Sequence, residues 1–149
     1  MTAEEQNITE KKPVKVIICG SRTFDDYKFL EITMRKIFRE LTSRGILYGF
    51  PKKDSDLIEI VSGGAKGADI LGEWFAENYS LWTKVMLADW EKNGDQAGFI
   101  RNCEMVDYVS SENCYGMVVA FWDGQSKGTQ HCFNYAKDKK LDVRIELFR

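Results

Sequence analysis

The chain has 149 residues, 44% apolar, 30% charged and 13% aromatic, a composition that buries a core in one globular domain and excludes a disordered or membrane-spanning chain. Lys plus Arg is 21 and Asp plus Glu is 23, so a formal net charge of −2 supplies no global basic field for nucleic acid, and an anion has to be caught by local geometry. The 4 cysteines form no C-x-x-C pair and the single histidine supplies no multi-His cluster, so the reading calls for no metal and no cofactor.

Residues 1–12 are polar and aperiodic, which predicts a flexible N-terminal tail ahead of a single domain over 13–149. No apolar h-region follows that polar start, and three of the cysteines lie in or beside apolar segments, which points to reduced thiols in the cytoplasm. Val14 to Cys19 is a β-branched run stopped by Gly20-Ser21, a buried strand feeding a turn. Asp25 and Asp26 are positioned to cap a helix in which Leu30, Met34, Ile37, Phe38 and Leu41 recur at helical spacing until Arg44-Gly45.

Residues 46–57 read as a surface connection, Leu57 to Val61 as the second strand, and Ala68 to Tyr79 as a helix with Leu71, Trp74 and Phe75 on one side. Lys84 to Ala88 is predicted as the third strand, Asp89 to Gly98 as a loop, and Phe99 to Ser111 as a helix. Gly116 to Trp122 is almost continuously apolar, as a strand covered on both faces must be, and is taken as the central strand. Ser126 to Lys139 reads as the last helix and Val143 to Leu147 as the last strand. Strict alternation of strands and helices predicts a mainly parallel sheet with helices on both faces, whose ligands lie beyond the carboxyl ends of the strands.

Three of the predicted strand-to-helix turns combine glycine, a hydroxyl and a cation: Gly20-Ser21-Arg22-Thr23, Ser62-Gly63-Gly64-Ala65-Lys66-Gly67-Ala68-Asp69, and Asp123-Gly124-Gln125-Ser126-Lys127-Gly128-Thr129. Glycine admits backbone N–H groups close to a ligand, and a helix N-terminus adds positive potential. Each turn alone is equally well explained as a tight turn or a cap, but three on one sheet edge point to a phosphate-bearing ligand. Arg101-Asn102, behind the third strand, add a bidentate phosphate donor and a polar reader, or, taken without the other turns, equally a surface Arg and a cap Asn.

Familiar alternatives fail on spacing. There is no G-x-x-x-x-G-K-[ST], and the second turn is G-G-x-x-G rather than G-x-G-x-x-G, which argues against a P-loop and a standard dinucleotide fingerprint. His131, inside a predicted helix, reads as a solvated or helix-packing residue, with its nearness to Thr129 leaving a catalytic role as the alternative. Trp90 and Trp122, at or near strand ends, are read as rim or core packing with base stacking as the alternative. Cys19 and Cys132 read as core thiols. Asp69 suits the first turn of a helix, and Asp123 is left between a ribose contact and a cap.

The three turns, with Ala88-Asp89-Trp90 and Ala97-Gly98-Phe99-Ile100-Arg101-Asn102, resemble the YspA-like (cpYpsA-related) family of the SLOG superfamily. That superfamily also contains the LOG phosphoribohydrolases and DNA-processing protein A. The resemblance runs in order from about Val14 to Leu147 and implies a Rossmann-like three-layer α/β/α sandwich with a five-stranded sheet, binding a nucleotide or nucleotide-derived small molecule, often as a homo-oligomer. By similarity the binding positions are Gly20, Ser21, Arg22, Gly63, Gly64, Ala65, Gly67, Asp69, Arg101, Asn102, Gly128 and Thr129. Lys66, Asp123, Ser126 and Lys127 join them from the chemistry of the turns.

The LOG pattern places a catalytic glutamate three residues after its threonine, and Gly128-Thr129-Gln130-His131-Cys132 has cysteine there, a poor substitute in acid–base work. The first expectation is therefore a sensor or ligand-binding module. The alternative is a hydrolase or transferase acting at ribose C1, with no residue fixed as catalytic and Asp69 and Asp123 as candidate carboxylates. Single-stranded nucleic-acid binding is the weakest expectation on charge, and nothing calls for a membrane partner.

Overall fold

The structure is a computed structural model that describes residues 10–148. The strands are β1 (Val14–Gly20), β2 (Ile58–Ser62), β3 (Trp82–Val85), β4 (Tyr115–Trp122) and β5 (Asp142–Leu147). Between them lie α1 (Tyr27–Ser43), α2 (Ala68–Asn78), the short α3 (Trp90–Asn93), a 3₁₀ turn (Gly94–Gln96), α4 (Ala97–Val109) and α5 (Lys127–Asp138). All four strand pairings are parallel, in the order β3-β2-β1-β4-β5. This is a Rossmann-like α/β/α sandwich.

The pleat of β1 divides the core. Val14, Val16 and Ile18 pack with Met117, Val119 and Phe121 of β4 under the apolar stripes of α1 and α2. Ile17 and Cys19 pack with Val118 and Ala120 under Met105, Val106 and Val109 of α4 and Cys132, Phe133 and Ala136 of α5. Period-2 alternation on strands covered from both sides gives each helix pair its own core. α1 starts where its sequence says: Asp26 Oδ1 accepts from Phe29 N at 3.0 Å.

Three boundaries differ from expectation. β1, not β4, is the middle strand; both have two strand neighbours and two covered faces, so an apolar run does not distinguish them. β3 lies at Trp82–Val85 rather than 84–88, and it is an edge strand with every residue exposed, so burial imposed no pattern on it. Pairing with β2 runs only from Glu59↔Trp82 to Ser62↔Val85, because β2 turns away at Gly63. The predicted loop over 89–98 instead holds α3, which Asp89 Oδ1 caps through Lys92 N at 3.0 Å.

Residues 1–9 of the expected tail, and Arg149, lie outside the described residues. Lys11 is tied to the domain: its Nζ donates to Gly45 O at 2.7 Å and its backbone N to the Tyr48 hydroxyl at 3.1 Å. Among the described residues no helix is long and apolar enough to cross a membrane.

Candidate functional site

The chain leaves β1 for β2 and β3 on one side of the sheet, then returns to add β4 and β5 on the other. The turns after β1 and β4 therefore part at a topological switch point, where open α/β sheets place ligands. A cavity of about 280 Å³ opens there, lined by residues of all three glycine-bearing turns and of α4.

The turn after β1 supplies a brace and a cation. Ser21 is 2% exposed; its N–H donates to Phe121 O at 2.9 Å and its Oγ accepts from Asp123 N at 3.1 Å. It fastens β1 to the end of β4 and stays outside the cavity lining. Arg22 is exposed, lines the cavity, and among the described residues makes no hydrogen bond or ion pair.

The turn after β2 is braced from below. Ser62 Oγ donates to Glu73 Oε2 at 2.6 Å and accepts from Gly64 N at 3.0 Å. Ala65 N donates to Asp69 Oδ2 at 3.2 Å. Gly63 is a glycine for want of room: a β-carbon there would lie 2.6 Å from Arg101 Nη1 and 2.8 Å from Asp69 Oδ2. Arg101 Nη1 donates to Gly63 O at 2.6 Å, its Nε donates to Asn102 Oδ1 at 3.2 Å, and Asn102 Nδ2 donates to Gly128 O at 3.1 Å. This relay spans the crevice from the second turn to the third.

Asp69 sits against that relay, 6% exposed. Burial raises its carboxyl to about 6, against the opposing pull of the Ala65 N–H and the Arg101 charge, while Glu73 pushes it further up. Asp123 is its opposite. Its Oδ1 accepts from Ser126 N at 2.8 Å and Gln125 N at 2.9 Å, and those N–H groups hold the carboxylate below its usual range. It closes its own turn and does not line the cavity.

The helices that begin at the cavity lack side-chain caps: Gly67 precedes α2 and Ser126 precedes α5, neither with a cap hydrogen bond. The Ser126 hydroxyl instead shares a 3.2 Å hydrogen bond with Thr129 Oγ1. Open space lies where a Gly128 β-carbon would be. The first-turn N–H groups of α5 thus border the cavity, the geometry that receives an anion.

Of the residues singled out from the sequence, the cavity brings together Gly20, Arg22, Ala65, Asp69, Arg101, Asn102, Ser126, Gly128 and Thr129. Ser21, Gly63, Gly64, Lys66, Gly67, Asp123 and Lys127 lie outside its lining, as braces, spacers or exposed cations of the turns. Trp90, Asp95, Phe99 and Met105 line it too. Trp90 is 55% exposed. Trp122 is engaged elsewhere, donating Nε1 to Ser126 O at 3.0 Å and packing edge-on to Phe133. Asp95 carried no signal in the sequence beyond lying in a segment read as loop.

Cys19 and Cys132 form the cavity floor; the hydrogen bond to Cys132, with burial, holds the Cys19 thiol well above its ordinary range, the environment of an inert thiol. His131 packs on Phe99 with ring centroids 4.5 Å apart, and burial lowers its pKa.

No family model matches the chain. The X-ray structure of DNA processing protein A (DprA) from Streptococcus pneumoniae aligns over 91% of this chain at a TM-score of 0.52 and 16% identity, so the two share a fold. The alignment covers 50% of the DprA chain. The Gene 61 protein of Mycobacterium phage D29 is 36% identical over 89 residues, 56% of this chain and 67% of that protein. On that likeness the chain belongs to the family of the phage D29 Gene 61 protein.

Proposed function

We propose that the crevice binds a nucleotide or nucleotide-derived small molecule, its phosphate held by Arg22 and the uncapped first turn of α5. The observation that carries this reading is the convergence of an unpaired guanidinium, open helix N–H groups and the aromatic residues Trp90 and Phe99 in the lining of one cavity. Cation and helix terminus suit a phosphate, and aromatic faces suit a base. The volume of about 280 Å³ falls just below the roughly 300–1,000 Å³ range of small-molecule sites, which favours a compact ligand over a nucleic-acid strand. The YspA-like motifs support the same reading. It makes the protein a sensor or ligand-binding module.

Among the described residues Arg22 makes no hydrogen bond or ion pair, so Arg22→Ala is expected to leave stability within about 0.5 kcal/mol of wild type. Loss of a charge-assisted phosphate contact is expected to weaken binding about ten- to hundredfold. Calorimetric titration and thermal shift against AMP and ADP-ribose check both. Equal stabilisation of wild type and variant by every nucleotide tried would remove Arg22 from the phosphate seat and leave only the first turn of α5.

Asp69 favours a second reading, hydrolysis or transfer at ribose C1, because a buried carboxyl that titrates at about 6 can exchange a proton near neutrality. Chromatography of nucleoside monophosphates incubated with the protein tests it. Free base that appears with wild type and not with Asp69→Asn establishes turnover; unchanged nucleotide leaves the binding module.

A further inference from the structure

The cavity walls differ in charge. Arg22 and the open turn of α5 make one part of the lining positive, whereas the segment between β3 and α4 contributes Trp90 and Asp95 and no cation; Phe99 and Arg101 follow from α4, where Arg101 donates to Gly63 O. Asp95 is exposed, and among the described residues its side chain makes no hydrogen bond or ion pair. An ionised carboxylate accepts and never donates, and it repels phosphate. It must therefore meet a part of the ligand rich in donors.

In a nucleotide the sugar lies between phosphate and base. A ligand seated with its phosphate on Arg22 and its base against Trp90 and Phe99 carries its sugar between them. The vicinal hydroxyls of a ribose are then the paired donors that a carboxylate on the aromatic wall can take. From this geometry, and resting on the nucleotide reading above, we infer that Asp95 reads the ribose hydroxyl pair, so that the site takes ribonucleotides over 2′-deoxyribonucleotides. Asp95 is a specificity-determining residue in this assignment, and it leaves the phosphate seat untouched.

The test is calorimetric titration of the full chain with AMP, 2′-deoxy-AMP and inorganic phosphate. Wild type is expected to prefer AMP to its deoxy analogue by about tenfold, the value of one good hydrogen bond to a charged acceptor. Asp95→Ala is expected to shrink that preference to about twofold or less while both nucleotides still bind, and Asp95→Asn to fall between. Because Asp95 is exposed and its side chain is unbonded among the described residues, folding is not at stake, and an unchanged thermal midpoint of the free protein confirms it.

Equal affinity of wild type for AMP and 2′-deoxy-AMP overturns the assignment, as does a preference that survives in Asp95→Ala. If Arg22→Ala abolishes binding while that preference persists, the nucleotide reading stands and Asp95 is removed from it. Binding of phosphate with neither nucleotide reduces the cavity to an anion site and also overturns the assignment. Binding of none of the three overturns both readings.

Discussion

Asp69→Asn is expected to remove about 2 kcal/mol of pH-dependent stability loss between roughly pH 4.5 and 7.5. The native carboxyl titrates at about 6 against an ordinary value of 3.8, so the folded protein holds this proton more tightly than the unfolded chain does. Stability from this group is fully present below the unfolded value and is lost as pH rises through the folded one, about 3 kcal/mol in all. Asn keeps an oxygen to accept from Ala65 N and has nothing to ionise, so its curve loses that slope. Asp123, held low by the Ser126 N–H, acts in the opposite sense at more acidic pH. It is present in both proteins and cancels in the difference.

Urea unfolding of wild type and variant at both ends of the window measures that difference directly. Parallel curves would show that Asp69 binds its proton no more tightly in the fold than in the open chain, and the ribose C1 chemistry would lose its acid. A further consequence separates electrostatics from packing. A phosphate entering a cavity that contains Asp69 disfavours the ionised carboxylate, so binding takes up a proton and weakens as pH rises through about 6. In Asp69→Asn that dependence is expected to vanish, leaving only the ligand's own titration.

How far the sequence reveals this site depends on which force shaped each residue. The stripe Leu30, Met34, Ile37, Phe38, Leu41 is legible because burial imposes a period, and all five are buried in the core under α1. The β3 edge is illegible for the converse reason: Trp82 is 61% exposed and Val85 45% exposed, so its apolar residues answer to no core. The glycine turns are legible as turns, but their division of labour is not. Ser21 reads as a ligand hydroxyl and is a strut to Asp123, a partner 102 residues away. Gly63 reads as a phosphate contact and is the vacancy that Arg101, 38 residues on, occupies. No local pattern encodes such pairings, because they exist only once the switch point has brought the turns together. Asp95 is the extreme case, an exposed residue in an irregular segment that gains meaning from the cavity beside it.

Gly67→Ala is expected to destabilise the protein by about 3–5 kcal/mol, whereas Gly64→Ala is expected to cost about 1–2 kcal/mol. Gly67 pairs its φ with a ψ of −128°, outside the left-handed helical region, but both glycines have positive φ, +83° and +73°, and its sign does not separate them. Their surroundings do. A β-carbon on Gly67 runs into the Ser21 carbonyl oxygen and lies 2.8 Å from the Arg22 backbone, atoms fixed by the fastening of Ser21 to Phe121 and Asp123. A β-carbon on Gly64 meets the end of the Leu87 side chain, which is exposed and free to swing aside. Thermal unfolding should therefore place Gly67→Ala about 10 °C or more below wild type and Gly64→Ala within a few degrees of it. The functional effects should rank the same way, because the Gly67 contact sets the distance between the second turn and Arg22. At a temperature where Gly67→Ala remains folded, its affinity for AMP should fall to the level of Arg22→Ala. If Gly64→Ala proves the more damaging, the close approach of the first two turns does not set the geometry of the site, and the phosphate seat must be sought at the α5 terminus alone.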